Sequence, residues 1–349
     1  SAHRKGVEAE RAVRRSRATI ARLLGVKESE VIFTSGGTEG DNLAIKGVAR
    51  ALRRRGMHIL TTKIEHPAVL ESCRDLEAEG FRVTYLDVDA EGMVTPEAVE
   101  AALTPETILV SIMHVNNELG TILPISEIAE RVKRRNPEIV IHSDGVQAIG
   151  KTRVDLHGVD LYTISGHKIH APKGTGARIV REGVRLVPLF SGGGQERGLR
   201  SGTENVAGIV GLARALELMY ENLEEKLAHF RTLRERFLDG VRGIPGARIN
   251  SPERSVSTTV NVSFPGIPAE VLLHALEEEG VFASTGAACA SRKRRRSHVL
   301  EAVGLPPEVI DSSVRFSFSR YTTVEDVEWA VRALHRAVER LTIGPPVRR

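Results

Sequence analysis

Lys168 closes a Ser165-Gly166-His167-Lys168 segment that follows an apolar, strand-like run at 159–164, and an Asp144-x-x-Gln147 group follows another such run. Strand ends carry side chains to one rim of a buried sheet, so an amine and a carboxylate can meet there. An amine in that setting suits imine formation with an aldehyde cofactor. Pyridoxal phosphate fits best, because it pairs an imine-forming lysine with an acidic partner for its pyridine nitrogen. Asp144 is the candidate partner: a carboxylate bonded to that nitrogen keeps the ring protonated, and the ring then draws electrons from a substrate Cα. Taken alone, Asp144 reads as a cap on a strand-end turn.

Further residues supply chemistry of the same kind. Thr34-Ser35-Gly36-Gly37-Thr38-Glu39 lies between a strand and a helix, so its amides, Gly37 among them, and the Thr38 hydroxyl could cradle a phosphate. It is not a Walker A loop, since Glu39-Gly40 stands where a lysine and a hydroxyl are needed. Ser165 and His167 add phosphate donors beside the lysine. His66 opens a helix and could stack on a flat ring, act as an acid-base group, or simply cap. Asn117 sits at a strand end within His114-Val115-Asn116-Asn117-Glu118, where a buried amide is often structural.

Cys289 lies in a small-residue stretch, 284–291, with no apolar periodicity, and the basic run Arg292-Lys293-Arg294-Arg295-Arg296 follows, which would favour a thiolate. Cys73 falls on a helical stretch and reads as an ordinary packed thiol. In Arg315-Phe316-Ser317-Phe318-Ser319-Arg320, period-two alternation puts Arg315 with the serines and opposite the phenylalanines. An arginine on a pocket-facing strand suits a bidentate grip on a carboxylate; a surface ion pair suits Arg320 better.

The elements that must present these residues are legible in the spacing. From 28 to 180, short β-rich runs at 31–33, 58–62, 83–86, 108–113 and 139–142 alternate with helix-like stretches near 42–54, 68–79, 94–102 and 125–135. That alternation predicts a mostly parallel sheet with helices on its faces. A long helical segment over 204–241, broken near Asn222, connects to a region of different pattern after Gly243-Ile244-Pro245-Gly246. There, strands at 258–264 and 314–318 and helices at 269–279 and 324–341 predict a smaller α+β domain.

Composition narrows the class. The 349 residues, 41% hydrophobic with net charge +4, suit a globular protein of one large core or two unequal domains. Two cysteines leave little room for a disulfide framework or an all-cysteine metal site. No stretch approaches the about 20 apolar residues of a membrane span, and no charged-then-apolar leader opens the chain, so a soluble, cytoplasmic protein is expected. Most basic residues alternate with acids, unlike the concentrated charge of a nucleic-acid binder; the run 292–296 lacks interleaved aromatics.

Together these motifs resemble the cysteine desulfurases of iron-sulfur cluster and nitrogenase maturation, within the class V aminotransferase-like, fold-type I pyridoxal phosphate enzymes. The resemblance runs over about 1–342. It rests on Thr34 to Glu39, Glu65-His66, His114 to Gly120, Asp144 to Gln147, Ser165 to Lys168 with Pro172-Lys173-Gly174, Gly192 to Thr203, and Ser284 to Ser291. It implies an α/β fold: a large domain with a mostly parallel seven-stranded sheet over 12–245, and a small α+β domain made of 1–11 and 246–349 that carries the nucleophile loop.

Carried over residue by residue, the resemblance makes Lys168 the Schiff-base lysine, Asp144 the partner of the pyridine nitrogen, Gln147 that of the phenolic oxygen, and His66 the ring-stacking group. Thr38, Ser165 and His167 would hold the phosphate, with Thr203 supplied from the other subunit of a homodimer. Asn117 and Arg315 would bind the substrate carboxylate, and Cys289 would take the sulfur of L-cysteine as a persulfide, leaving alanine. An acceptor protein, for cluster assembly or tRNA thiolation, would receive that sulfur.

The family's chains normally begin with a further segment, bearing an Asp-Asn-Ala-Ala-Thr-Thr-like strand, and this sequence starts after the position of that segment. The run Arg292 to Arg296 also replaces a mostly small, polar stretch. Selenocysteine lyase or another C–S lyase is the neighbouring reading; a non-catalytic scaffold or nucleic-acid binder is the distant one.

Overall fold

The computed structural model describes residues 3–285 and 296–343, in two compact units. The first comprises the chain up to Asp87, Val94–Val115 and Leu123–Leu223; the second comprises Val88–Met93, Asn116–Ile122 and the chain from Glu224 onward.

The first unit opens with α1 (Arg4–Leu24), then β1 (Val31–Thr34), α2 (Gly37–Leu52), β2 (His58–Thr62), α3 (Pro67–Ala78), β3 (Arg82–Leu86), α4 (Pro96–Ala101) and β4 (Thr107–Ser111). It continues with α5 (Ile125–Arg135), β5 (Val140–Asp144), β6 (Leu161–Ser165), β7 (Gly176–Val180) and α6 (Val206–Tyr220). Seven strands form one sheet in the order β1-β7-β6-β5-β4-β2-β3. Only β7 runs against its neighbours, pairing antiparallel with both β1 and β6. The carboxyl ends of β1, β2, β4, β5 and β6 therefore share one rim. These strands read as nearly continuous apolar runs because helices cover both faces; every residue of β1, β2, β4, β5, β6 and β7 is buried. On α5, Ile125, Ile128, Ala129 and Val132 are buried at helical spacing.

The second unit contains α7 (Leu223–Arg242) from Glu224 onward, β8 (Arg248–Ile249), β9 (Thr259–Ser263), α8 (Ala269–Glu278), α9 (His298–Ala302), α10 (Pro307–Asp311), β10 (Ser313–Ser317) and α11 (Val324–Ile343). Its sheet is antiparallel, in the order β10-β9-β8. Phe230, Leu233 and Phe237 of α7 share a core with Val260, Val262, Phe316, Leu272 and Leu334. The Phe237 ring packs on Phe316 at 4.8 Å and on Phe318 at 5.7 Å, the apolar face opposite Arg315. Among the described residues no helix is long and apolar enough to cross a membrane.

The architecture is the expected mixed α/β fold with a seven-stranded, mostly parallel sheet. The division of the chain differs from the expected one. Residues 3–11 lead into or belong to α1, which packs along α6 in the first unit. The helical segment breaks at Asn222, where φ is 50°, and from Glu224 onward it lies in the second unit, because the apolar face of α7 completes that unit's core. Asn117 also belongs to the second unit rather than to the strand-end set of the first. The strand β7 had no counterpart among the expected elements: Arg178 interrupts its short apolar run.

Candidate active site

The turn from β1 into α2 is built by close approach. Gly176 of β7 is registered with both Thr34 and Ser165. A Cβ on it would lie 2.6 Å from Ile164 O and 2.8 Å from Gly36 Cα, so only glycine lets these strand ends converge. Gly36 itself has φ 151°, in the range that disfavours side chains. Its carbonyl accepts from Thr34 Oγ1 at 3.2 Å, and Glu39 accepts from Ser35 N at 3.0 Å. The first amides of α2 have no carbonyl one turn back and form its positive end.

Ser165 is the neighbour of that turn: a Cβ on Gly37 would sit 3.6 Å from its Cβ. Its Oγ lies 2.8 Å from His167 Nδ1, on the 3-10 turn Gly166–Ile169 that carries Lys168. Burial, then Lys168, Lys173 and Lys151, push the His167 imidazole below its usual range, so it is neutral amid cations. Gly37, Ser165 and His167 thus come together, with Thr38 exposed on the same helical turn. Hydroxyls, amides and surrounding cations are the donor set a phosphate requires.

Asp144 ends β5, beside β6, and is 5% exposed. Its Oδ1 accepts from Val146 N at 2.9 Å. Burial, followed by the Asp41 charge, pushes its carboxyl up to about 8, while His142 and Lys168 pull the other way. Gln147, one turn on, accepts from Lys151 Nζ at 2.5 Å through Oε1, which leaves its amide nitrogen as a donor. His66 is the N-cap of α3 ahead of Pro67, and its Nδ1 accepts from Ala68 N at 3.1 Å. The neutral ring therefore carries its proton on Nε2.

Thr203 is exposed in the segment ahead of α6. That loop is tied down by Glu196, whose carboxylate accepts from Arg17 Nη2 at 2.6 Å and from Phe33 N at 2.8 Å. These bonds hold Glu196 and Arg197 at φ 46° and 60°, left-handed values unusual for such residues. Arg200 Nε reaches Glu39 Oε1 at 3.0 Å, linking the loop to the β1–α2 turn.

In the second unit, Arg315 Nη1 donates to Asn117 O at 2.9 Å, so two sequence-predicted carboxylate residues meet. The segment is shaped by Asn116 Oδ1, which accepts from Glu118 N and Leu119 N, each at 2.9 Å. Glu118, buried, accepts from Ser297 Oγ at 2.6 Å, and Ser297 caps α9 through Leu300 N at 3.1 Å. The Arg315 backbone bridges to Ser284. Cys289 lies outside the described residues, as does the basic run up to Arg295; Arg296 holds Asp311 through two bonds of 2.7 and 2.8 Å. Cys73 is buried and its thiol is pushed up to about 12, first by burial and then by Glu65, as befits a packed thiol.

Sequence reasoning missed the buried charges around Asp144. Glu65 accepts from Thr62 Oγ1 at 2.7 Å and Met113 N at 3.0 Å, and burial above all raises its carboxyl to about 8. Asp41, His142 and Arg178 are as deeply buried. The available signal was a charged residue inside an apolar run, as in Ala177-Arg178-Ile179.

The chain belongs to the aminotransferase class-V family, whose model matches residues 1–329. It is 46% identical over 335 residues to the cysteine desulfurase IscS of Clostridium botulinum, covering 94% of this chain and 84% of that protein. It is 45% identical over 350 residues to the cysteine desulfurase IscS of Dictyoglomus turgidum, covering 99% and 88%. A solved structure of a NifS-like protein superposes with a TM-score of 0.91 at 42% identity, covering 97% of this chain and 90% of that one.

Proposed function

We propose that this protein is a pyridoxal phosphate-dependent cysteine desulfurase. The observation that carries the reading is the pairing of buried Asp144, at the end of β5, with Lys168 on the turn after the neighbouring strand. The similarity to cysteine desulfurases supports the choice of substrate.

Gly37, Thr38, Ser165 and His167 would hold the cofactor's phosphate, with Thr203 supplied by the second subunit of a homodimer. His66 would stack on the ring with Nε2–H as its donor, and Gln147 would donate to the phenolic oxygen. Bound at Lys168, pyridoxal phosphate supplies an electron sink for the substrate Cα. Asp144 holds a proton at the ring nitrogen, which makes that sink effective. Lys168, once its amine is free, takes the Cα proton. Arg315 and Asn117 bind the carboxylate of L-cysteine. The Cys289 thiolate attacks the substrate sulfur: an S–S bond forms, the Cβ–S bond breaks, and its electron pair stays with carbon, which is protonated to give alanine. The Cys289 persulfide then passes its sulfur to an acceptor protein, in iron-sulfur cluster assembly or tRNA thiolation, within the cytoplasm.

Mass spectrometry of the protein after brief incubation with L-cysteine tests this directly. One added sulfur, about 32 Da, is expected on Cys289, with alanine formed, and both are lost in C289S. Alanine production with an unmodified Cys289 would sink the sulfur-transfer step.

A further inference from the structure

Behind Asp144 the first unit carries a polar layer where a helix-covered sheet is normally apolar. Arg178 of β7 is fully buried and registered with Thr163 of β6. Its Nη1 donates to Gly40 O on α2 at 3.2 Å, while Nε and Nη2 have no hydrogen-bond partner among the described residues. Asp41, the next residue of α2, is 1% exposed, and its Oδ1 lies 3.5 Å from His142 Nε2. That nitrogen is also 3.0 Å from Thr163 Oγ1, and His142 Nδ1 is 2.8 Å from Ser111 Oγ. His142 and Asp144 share one face of β5, and Asp144 is registered with Thr163.

A buried carboxylate without a cation nearby takes up a proton instead of staying charged. Here the cation is Arg178, whose charge favours ionised Asp41. We propose that Asp41 and Arg178 are positioning residues for the reaction: Arg178 favours the charged form of Asp41, and that charge, acting through Asp144, tightens the hold on the ring-nitrogen proton. This rests on the role given to Asp144 above. Burial takes Asp41 to about 7 against the pull of the Thr163 hydroxyl and Arg178, which places its charge change close to neutrality. The other groups facing Asp144 are Glu65 beyond β2, His142 on β5, Tyr162 on β6 and Lys168 after it. Arg178 acts on Asp41 and His142.

Infrared titration of the aspartate carboxyls in the cofactor-free full chain tests the proposal, with D144N assigning the Asp144 band. D41N is expected to lower the Asp144 midpoint by about one pH unit, a tenfold weaker proton hold. R178M shifts it the same way near neutral pH, R178K restores it, and the D41N/R178M double shifts no further than D41N. Should R178M not fold, D41N alone decides. In the loaded enzyme, D41N slows removal of the Cα proton about tenfold with KM unchanged. A folded D41N with the wild-type midpoint, beside an inactive D144N, overturns the proposal alone. A D144N enzyme with wild-type turnover removes the role of Asp144, and the proposal with it.

Discussion

Asp144 and Arg315 both project an ionisable group from a strand, but their surroundings differ in kind. Asp144 shares a buried layer with the acids Asp41 and Glu65, so burial and like charge both favour holding a proton. Arg315 is only partly buried, gives Nη1 to the backbone carbonyl of Asn117, and has Glu118 close enough to feel its charge. A guanidinium keeps its charge at any working pH. The first environment makes a proton's position adjustable; the second fixes the direction of a permanent charge. In the proposed reaction the first would hold a proton at the cofactor's ring nitrogen and the second would grip the substrate carboxylate.

Three perturbations sharpen or break that contrast. The largest effect is expected from Asp144→Asn, which keeps shape but removes the proton-holding carboxyl: kcat falls about 10²- to 10³-fold while KM for L-cysteine changes little. Steady-state kinetics with saturated cofactor reads this, and a change confined to KM would erase the distinction between the two groups.

Arg315→Lys keeps a positive charge but loses the planar fork. KM should rise about tenfold, the loss of roughly one charge-assisted hydrogen bond, with kcat nearly intact. A kcat loss matching that of Asp144→Asn would mean that Arg315 does more than bind.

The smallest effect concerns stability. Asp41, Glu65 and Asp144 have folded values of about 7, 8 and 8 against ordinary values of 3.8, 4.5 and 3.8. From those ordinary values up to 7 or 8, the folded chain binds more protons than the unfolded chain, so these acids make stability fall as pH rises. The buried imidazoles of His58, His114 and His142, all lowered from 6.5, act with the opposite sign, but only up to about that pH. Above 6.5 the acids stand alone. The midpoint of urea unfolding of the cofactor-free protein should therefore drop between pH 6.5 and about 8, and Glu65→Gln should flatten the slope. A flat wild-type profile in that window would show that these acids are not titrating in the folded chain.

Much of the candidate site was legible in the sequence because strand ends announce themselves. Runs such as Leu161–Ser165 are buried on both faces and carry no polar residue that lacks a reason, so the Ser-Gly-His-Lys turn after them stood out. His66 was legible for the same reason, with Pro67 marking the helix start. Arg178 was not, because a lone arginine in a five-residue strand reads as an exposed position unless its burial is known. Asp41 was hidden by its helical neighbours: whether a residue of α2 faces solvent or the sheet depends on where that helix lies.

The sequence by itself offered the candidate chemical kit, Lys168, Asp144, His66, Arg315 and Cys289, and determined the alternation that makes a parallel sheet, because residue type and period are local properties. Only the tertiary structure decided the neighbours. It inserted β7 antiparallel between β1 and β6, drawing the β1–α2 turn against Ser165 through Gly176. It assigned Asn117 to the unit of Arg315, and it buried Asp41, His142 and Arg178 together behind Asp144. Strand order and burial arise from contacts between segments far apart in the chain, and a proton's affinity for a carboxyl depends on those contacts far more than on the residues beside it in sequence.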